Sequence, residues 1–336
     1  MNTPKLTRKD FQTDQGVRWC PGCGDYAILA ALQKVLPEIG VAKENIAIVS
    51  GIGCSSRLPY YVNTYGFHTL HGRAFAVATG LRAANPDVSV WIATGDGDSL
   101  SIGGNHLIHI LRRNVDVNIL LFNNEIYGLT KGQYSPTSSE GTRTKSSPFG
   151  SIDRPFDPAQ LALGARATFF ARTIDKDPAH MAEMMLRAQQ HRGTSLIEIY
   201  QNCNIFNDGA HDVLTDKETK HGARIEITHG EPLLFGADNE HCVVQDGFGL
   251  SVRASADVDA ADIVKHDEQG SDGYHRALAE LRSHGPTPIG VLRSVSSPTY
   301  DERFRSQIAA AESAAHPSLQ EELIGRHSWH VPTRTS

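Results

Sequence analysis

The sequence predicts an α/β fold: a mostly parallel sheet flanked by helices, with a smaller segment at the C-terminal end. Three observations predict it. Short apolar, β-rich runs such as Val88-Ser89-Val90-Trp91-Ile92-Ala93-Thr94 and Val117-Asn118-Ile119-Leu120-Leu121-Phe122 read as strands buried on both faces. Stretches with helical spacing alternate with these runs. The length, 336 residues, suits one large α/β unit plus an appendage, or two modest domains.

Each element follows in turn. Residues 1–19 read as an extended arm. Over 25–36, Ile28, Ala31, Leu32, Val35 and Leu36 keep helical spacing, and Pro37 and Gly40 end the helix. Residues 46–49 read as a short buried strand, followed by a tight loop, Gly51-Ile52-Gly53-Cys54-Ser55-Ser56. A small-residue helix over 73–84 stops at Asn85-Pro86. A strand at 88–94, a helix at 102–113 and a strand at 117–122 form a βαβ unit with a right-handed crossover. Residues 132–158, rich in Ser, Thr, Pro and Gly, form a long loop of the kind that usually carries function. Alternation resumes with a helix (157–164), a strand (168–171), a helix (179–191) and a strand (195–200). Beyond about 205 the pattern weakens to strands at 222–227 and 288–293 and helices at 273–283 and 302–313. The expected division is an arm (1–19), a ligand-binding domain (20–204) and a C-terminal extension (205–336).

Composition narrows the function classes. Hydrophobic residues make up 40% and charged residues 21%, ordinary for a soluble globular protein. A net charge of −6 gives no footprint for nucleic acid. The start of the chain, Met1 to Arg8, lacks the apolar core of a signal peptide, and no apolar run approaches the ~20 residues of a membrane helix. A cytoplasmic protein is expected. The five cysteines, Cys20, Cys23, Cys54, Cys203 and Cys242, are odd in number and spread widely, which points to metal or redox use over a disulfide framework.

The chemistry concentrates at two places. Gly95-Asp96-Gly97 follows one buried strand and Asn123-Asn124 the next, so Asp96 and Asn124 meet at the C-terminal ends of parallel strands, where α/β sheets bind ligands. A carboxylate and an amide oxygen suit Mg²⁺, which fills its shell with substrate phosphates; a third ligand is expected from a backbone carbonyl just after Asn124. Ser99, Ile102, Gly103 and Gly104 are expected to open a helix whose free N–H groups hold a phosphate. The second place is Cys20-Pro21-Gly22-Cys23. Alone, a C-x-x-C reads as a redox motif, a zinc knuckle, a cluster ligand pair or coincidence. Cys54 and Cys203 each follow a predicted strand on the same sheet edge, and four converging thiolates suit a [4Fe–4S] cluster or structural zinc. Cys242 reads as a buried or free thiol.

These residues carry a family resemblance. Gly95-Asp96-Gly97…Asn123-Asn124 is similar to the thiamine-diphosphate motif of thiamine-dependent enzymes, which implies Mg²⁺ held by Asp96, Asn124 and the carbonyl of Ile126. Ile126-Tyr127-Gly128-Leu129-Thr130-Lys131-Gly132-Gln133 resembles the loop after that motif. Together with Trp19-Cys20-Pro21-Gly22-Cys23-Gly24-Asp25-Tyr26, Gly51-Ile52-Gly53-Cys54-Ser55-Ser56-Arg57 and His68-Thr69-Leu70-His71-Gly72-Arg73, the chain resembles the β subunit of 2-oxoacid:ferredoxin oxidoreductases, in particular the 2-oxoglutarate (KorB-like) type, over roughly residues 15–205.

The resemblance implies that thiamine diphosphate acts as an electron sink for a 2-oxo acid, that a [4Fe–4S] cluster on Cys20, Cys23, Cys54 and Cys203 passes electrons singly to ferredoxin, and that coenzyme A collects the acyl group. It implies that Gly95, Gly97, Asp98, Ser55, Ser56, Leu129 and Thr130 also line the cofactor. Arg57 and Lys131 are implied substrate contacts, with His71 and His68 beside them for proton transfer or carboxylate binding. Arg143 and Lys145 read as solvated loop residues. The glutamate that activates thiamine is not found in this chain, so the resemblance implies an α subunit and an α₂β₂ assembly. The competing readings are a pyruvate or branched-chain 2-oxo acid substrate, a non-redox thiamine decarboxylase subunit, and a zinc-stabilised structural subunit.

Overall fold

A computed structural model describes residues 6–314, 317–325, 327–329 and 331–332; the first five residues of the expected arm and the last four of the extension lie outside them. The described elements run α1 (Asp25–Val35), β1 (Ile46–Ser50), β2 (Tyr65–His68), α2 (Ala74–Ala84), β3 (Ser89–Gly95), α3 (Gly104–Arg113), β4 (Val117–Asn123), β5 (Ile126–Tyr127), β6 (Gln133–Tyr134), α4 (Pro158–Gly164), β7 (Phe169–Ile174), α5 (Pro178–Gln190) and β8 (Thr194–Tyr200). After them come α6 (Lys220–Ala223), β9 (Arg224–Ile227), β10 (Leu234–Phe235), β11 (His241–Asp246), β12 (Gly249–Ala254), α7 (Asp272–Glu280), β13 (Thr287–Ser294), α8 (Tyr300–Ser313) and α9 (Leu319–Ile324).

Eight strands form one sheet in the order β2-β1-β3-β4-β8-β7-β13-β9. The first six run parallel; β13 is antiparallel to β7, and β9 is parallel to β13. The mostly parallel sheet flanked by helices is therefore the expected one. The 205–336 extension donates β9 and β13 to it and adds a three-stranded antiparallel sheet, β10-β11-β12, that the sequence reading lacked.

Strand residues divide between two apolar layers with period two, because successive side chains leave opposite faces of a strand. Ala47, Val49, Val90, Ile92, Ile119 and Leu121 enter one layer with α2 and α3. Ile46, Ile48, Trp91, Ala93, Leu120 and Phe122 enter the other with α1 and α5. Ile48 and Ile92 are fully buried, each contributing roughly 1.5–3 kcal/mol by leaving water. Residues 6–19 are held to the body, with Phe11 and Trp19 buried in the second layer.

Local chemistry sets the helix starts. Asp157-Pro158 and Asp177-Pro178 each place a capping carboxylate before a proline at the first helical position. Asp157 accepts from Gln160 N–H and Asp177 from His180 N–H. One expected start moves: the helix placed at 102–113 begins at Gly104, and residues Asp98–Ile102 instead form a wide π-type turn closed by Gly103 N–H on Asp98 O at 3.1 Å. Wide turns of this kind recur at functional sites. Among the described residues no helix is long and apolar enough to cross a membrane.

Candidate functional site

A cleft opens at the carboxyl ends of β1, β3, β4 and β8. Gly95, Asp96, Gly97, Asp98 and Ser55 line it, together with Asn124, Ile126, Leu129, Thr130 and His71. Ser56 does not: it is buried behind the cleft, where its carbonyl accepts from Ser50 Oγ at 2.7 Å. Arg57, His68 and Lys131 are also absent from the lining. Arg57 Nε donates to Tyr61 OH at 3.0 Å, and His68 Nδ1 pairs with Tyr60 OH at 3.0 Å. Lys131 is exposed at a left-handed turn, φ 73°.

Asp96 is 2% exposed and lines the cleft together with Asn124 from the end of the neighbouring strand. Its Oδ2 accepts from Ser135 Oγ at 2.5 Å and Thr137 Oγ1 at 2.6 Å, both from the long loop. Burial pushes the Asp96 carboxyl up and the two hydroxyls pull it back. Asn124 Oδ1 accepts from Ile126 N–H at 3.2 Å, so the turn folds over its own side chain. Asn123 is structural: it is fully buried, donates to Glu198 Oε1 at 2.8 Å and accepts from Thr137. Gly97 admits no side chain, because a Cβ there would overlap the Tyr127 ring, whose hydroxyl donates to Gly97 O at 3.1 Å.

Asp98 holds the loops together. Its Oδ1 accepts from Gly72 N–H at 2.7 Å and Ile52 N–H at 3.1 Å and meets His71 Nδ1 at 2.6 Å, while Thr94 Oγ1 donates to Oδ2 at 2.8 Å. His71 Nδ1 lies against Asp98 Oδ1 without hydrogen-bond alignment, and Nε2 is left for another group. Ser55 Oγ is buried in the cleft wall with no hydrogen-bond partner. Such an orphan hydroxyl in the cleft wall fits a phosphate oxygen, and the Asp96/Asn124 pair fits a hard divalent cation.

The thiols of Cys54 and Cys203 both face Gly128, 3.6 and 3.5 Å from where a Cβ there would stand. Cys23 Sγ accepts from Gln201 Nε2 at 3.4 Å, and Asn204 Nδ2 donates to Pro21 O at 2.7 Å, tying the Cys203 loop to the C-x-x-C loop. Burial, then the neighbouring Asp25 carboxylate, pushes the Cys23 thiol up and the Cys54 thiol to about 12. Cys203 and Cys54 also raise Cys23 through charge, and Cys203 and Cys20 raise Cys54. No three His, Cys, Asp or Glu side chains among the described residues could share one metal ion. Cys23, Cys54 and Cys203 are gathered beside one loop, and a set of thiolates suits an iron–sulfur group or zinc. Cys242 is buried in β11, paired across the small sheet with Leu234 and Arg253.

Asp25, Gln201 and Tyr127 line the cleft as well, and Ser135 and Thr137 brace it; none was singled out from sequence. Asp25 is buried, with Oδ2 unpartnered, and burial raises its carboxyl to about 7. Its position two residues after Cys23 was the one available signal.

Residues 51–199 match the family model described as the thiamine pyrophosphate enzyme C-terminal TPP-binding domain. The chain is 57% identical over 330 residues to the 2-oxoglutarate oxidoreductase subunit KorB of Mycobacterium tuberculosis, covering 96% of this chain and 88% of that one. It is 43% identical over 185 residues to the 2-oxoglutarate synthase subunit KorB of Archaeoglobus fulgidus, covering 55% of this chain and 69% of that one. Among solved structures it resembles the 2-oxoglutarate:ferredoxin oxidoreductase of Magnetococcus marinus, which has 2-oxoglutarate, coenzyme A and succinyl-CoA bound. The TM-score is 0.77 with 33% identity, over 96% of each chain.

Proposed function

Because the chain belongs to the KorB-type β subunits of the 2-oxoacid:ferredoxin oxidoreductases, we propose that it interconverts 2-oxoglutarate, coenzyme A and oxidised ferredoxin with succinyl-CoA, CO₂ and reduced ferredoxin, as a cytoplasmic enzyme subunit. The observation that carries this reading is the shared site. The Asp96/Asn124 pair and the thiols of Cys54 and Cys203 flank one short loop, with Gly128 between them. When bound, thiamine diphosphate supplies an electron sink for the 2-oxo acid and a [4Fe–4S] cluster supplies a one-electron acceptor.

The chain's residues do the rest. Asp96, Asn124 and the Ile126 carbonyl hold Mg²⁺, and Ser55 Oγ with the Gly95–Gly97 turn holds the diphosphate. His71, beside Asp98, offers Nε2 to substrate, and Arg57 stands beside Cys54, whose thiol its charge pulls down. Cys20, Cys23, Cys54 and Cys203 hold the cluster, an all-thiolate ligand set. No glutamate lines the cleft among the described residues. In this reading an α subunit supplies it, in an α₂β₂ assembly, and the β chain alone is inactive.

The αβ complex, purified without air, should be brown with about four iron atoms per β chain. It should reduce ferredoxin with 2-oxoglutarate and coenzyme A in preference to pyruvate or 2-oxoisovalerate. Asp96→Ala should abolish Mg²⁺–thiamine diphosphate binding. A colourless, iron-free complex would sink the redox reading, and preference for pyruvate or the branched-chain acid would move the substrate assignment.

A further inference from the structure

We propose that Gln201 is a positioning residue that joins the two cofactor sites: its amide oxygen sets the orientation of Asn124, and its amide N–H donates to the Cys23 sulfur. The inference rests on the functional reading above and adds a residue to it.

Gln201 is the first residue beyond β8 and is 1% exposed. Its backbone N–H donates to Asn123 O at 2.9 Å, which fixes it to the end of the neighbouring strand. Its Oε1 accepts from Asn124 Nδ2 at 2.8 Å. Its Nε2 donates to Asn202 O at 2.5 Å and Cys23 Sγ at 3.4 Å. No other arrangement of the two amides satisfies these contacts. Asn124 Oδ1 is committed to Ile126 N–H, so its NH₂ must meet an oxygen on Gln201. The NH₂ of Gln201 then falls to the Asn202 carbonyl and the sulfur, both acceptors.

Two consequences follow. An asparagine that holds a cation must turn its oxygen inward; reversed, it would present NH₂ to the metal. Gln201 blocks that reversal, because two NH₂ groups would then face one another. At the other end, an N–H donated to a cluster sulfur draws electron density from it and favours the reduced cluster, since hydrogen bonds to the sulfurs help set its potential. The residue is neutral, so it does this without adding a buried charge.

The test uses the αβ complex with Gln201→Leu and Gln201→Glu. Gln201→Leu removes both contacts. It should lower the cluster's midpoint potential, read by EPR during a redox titration, and weaken Mg²⁺–thiamine diphosphate binding about tenfold, the loss of one buried hydrogen bond. Gln201→Glu keeps an oxygen for Asn124, so cofactor affinity should return to within about twofold of wild type. Its carboxylate adds charge beside the cluster, so the potential is read only in neutral variants. Wild-type potential in Gln201→Leu overturns the sulfur contact, and wild-type affinity in Gln201→Leu overturns the Asn124 contact. If Gln201→Leu does not assemble, the neutral and flexible Gln201→Met serves for both measurements. A wild-type complex without iron fails the functional reading itself, an outcome distinct from a normal cluster that ignores Gln201.

Discussion

Asp96 sits between opposing forces. Burial favours its neutral form, and the hydroxyls of Ser135 and Thr137 favour the carboxylate by donating to one oxygen. Next to it, Gly97 leaves the Tyr127 ring its place against the turn. Gly97→Ala should push that ring aside and break its bond to Gly97 O. We expect cofactor affinity to fall at least about tenfold, with about 1–3 kcal/mol of overpacking strain seen in melting. Calorimetric titration of Mg²⁺–thiamine diphosphate checks this, and wild-type affinity would refute it. The place of Gly-Asp-Gly and Asn124 in the cleft was legible because each follows directly on a buried apolar strand. Ser135, Thr137 and Gln201 were not: they are common polar residues outside any periodic run, and only the folded apposition marks them.

At the level of elements, β7 and β8 show where pattern reading stops short. The strand expected at 168–171 ends before Arg172, since a charged residue breaks an apolar run. Yet β7 continues to Ile174, because Arg172 and Glu198 lie side by side on adjacent strands, fully buried, with Nε donating to Oε2 at 2.7 Å. Burial raises the Glu198 carboxyl, but the Arg172 and Arg282 guanidinium groups outweigh it and hold it below its usual range. Arg172→Met should cost about 3–5 kcal/mol, because it removes the paired cation and leaves the buried carboxylate only the more distant charge of Arg282, and adding Glu198→Leu should recover much of the loss. Denaturant unfolding of the two variants measures both; a double variant no better than the single would refute the account. The edge strand β2 escaped notice for the opposite reason. Tyr65, Gly66, Phe67 and His68 carry no buried face, so pairing through the backbone leaves no pattern in the sequence. The helix positions, by contrast, were readable within a few residues, since Asp-Pro caps and apolar spacing are local signals.

For the whole molecule, the extension after 205 is part of the frame that holds the site. Ile225, Ile227, Leu278 and Leu292 enter the first apolar layer, and β13 covers the edge of β7. From the same segment His211 Nε2 donates to Asn123 O at 3.0 Å, and Arg282 reaches Glu125 at 3.4 Å, so both ends of the turn around Asn124 are braced. Burial lowers the His211 imidazole to about 4, which keeps it neutral and fixes Nε2 as the donor. A chain ending at 204 should aggregate, because it bares a strand edge and half an apolar layer. Size-exclusion chromatography checks this, and a soluble monomer that binds Mg²⁺–thiamine diphosphate would refute it. The role of this segment was hard to read because its strands are short and every contact it makes with the site is distant in sequence.

The bond from Asn204 to Pro21 spans 183 positions of chain. Translation delivers Pro21 early and Asn204 only after most of the sheet has been made, so the cysteine loops meet late in folding, as contacts of large sequence separation do. Under the proposed reading a cluster would therefore load only onto the assembled polypeptide, since a nascent chain on the ribosome carries Cys20 and Cys23 well before Cys203 arrives.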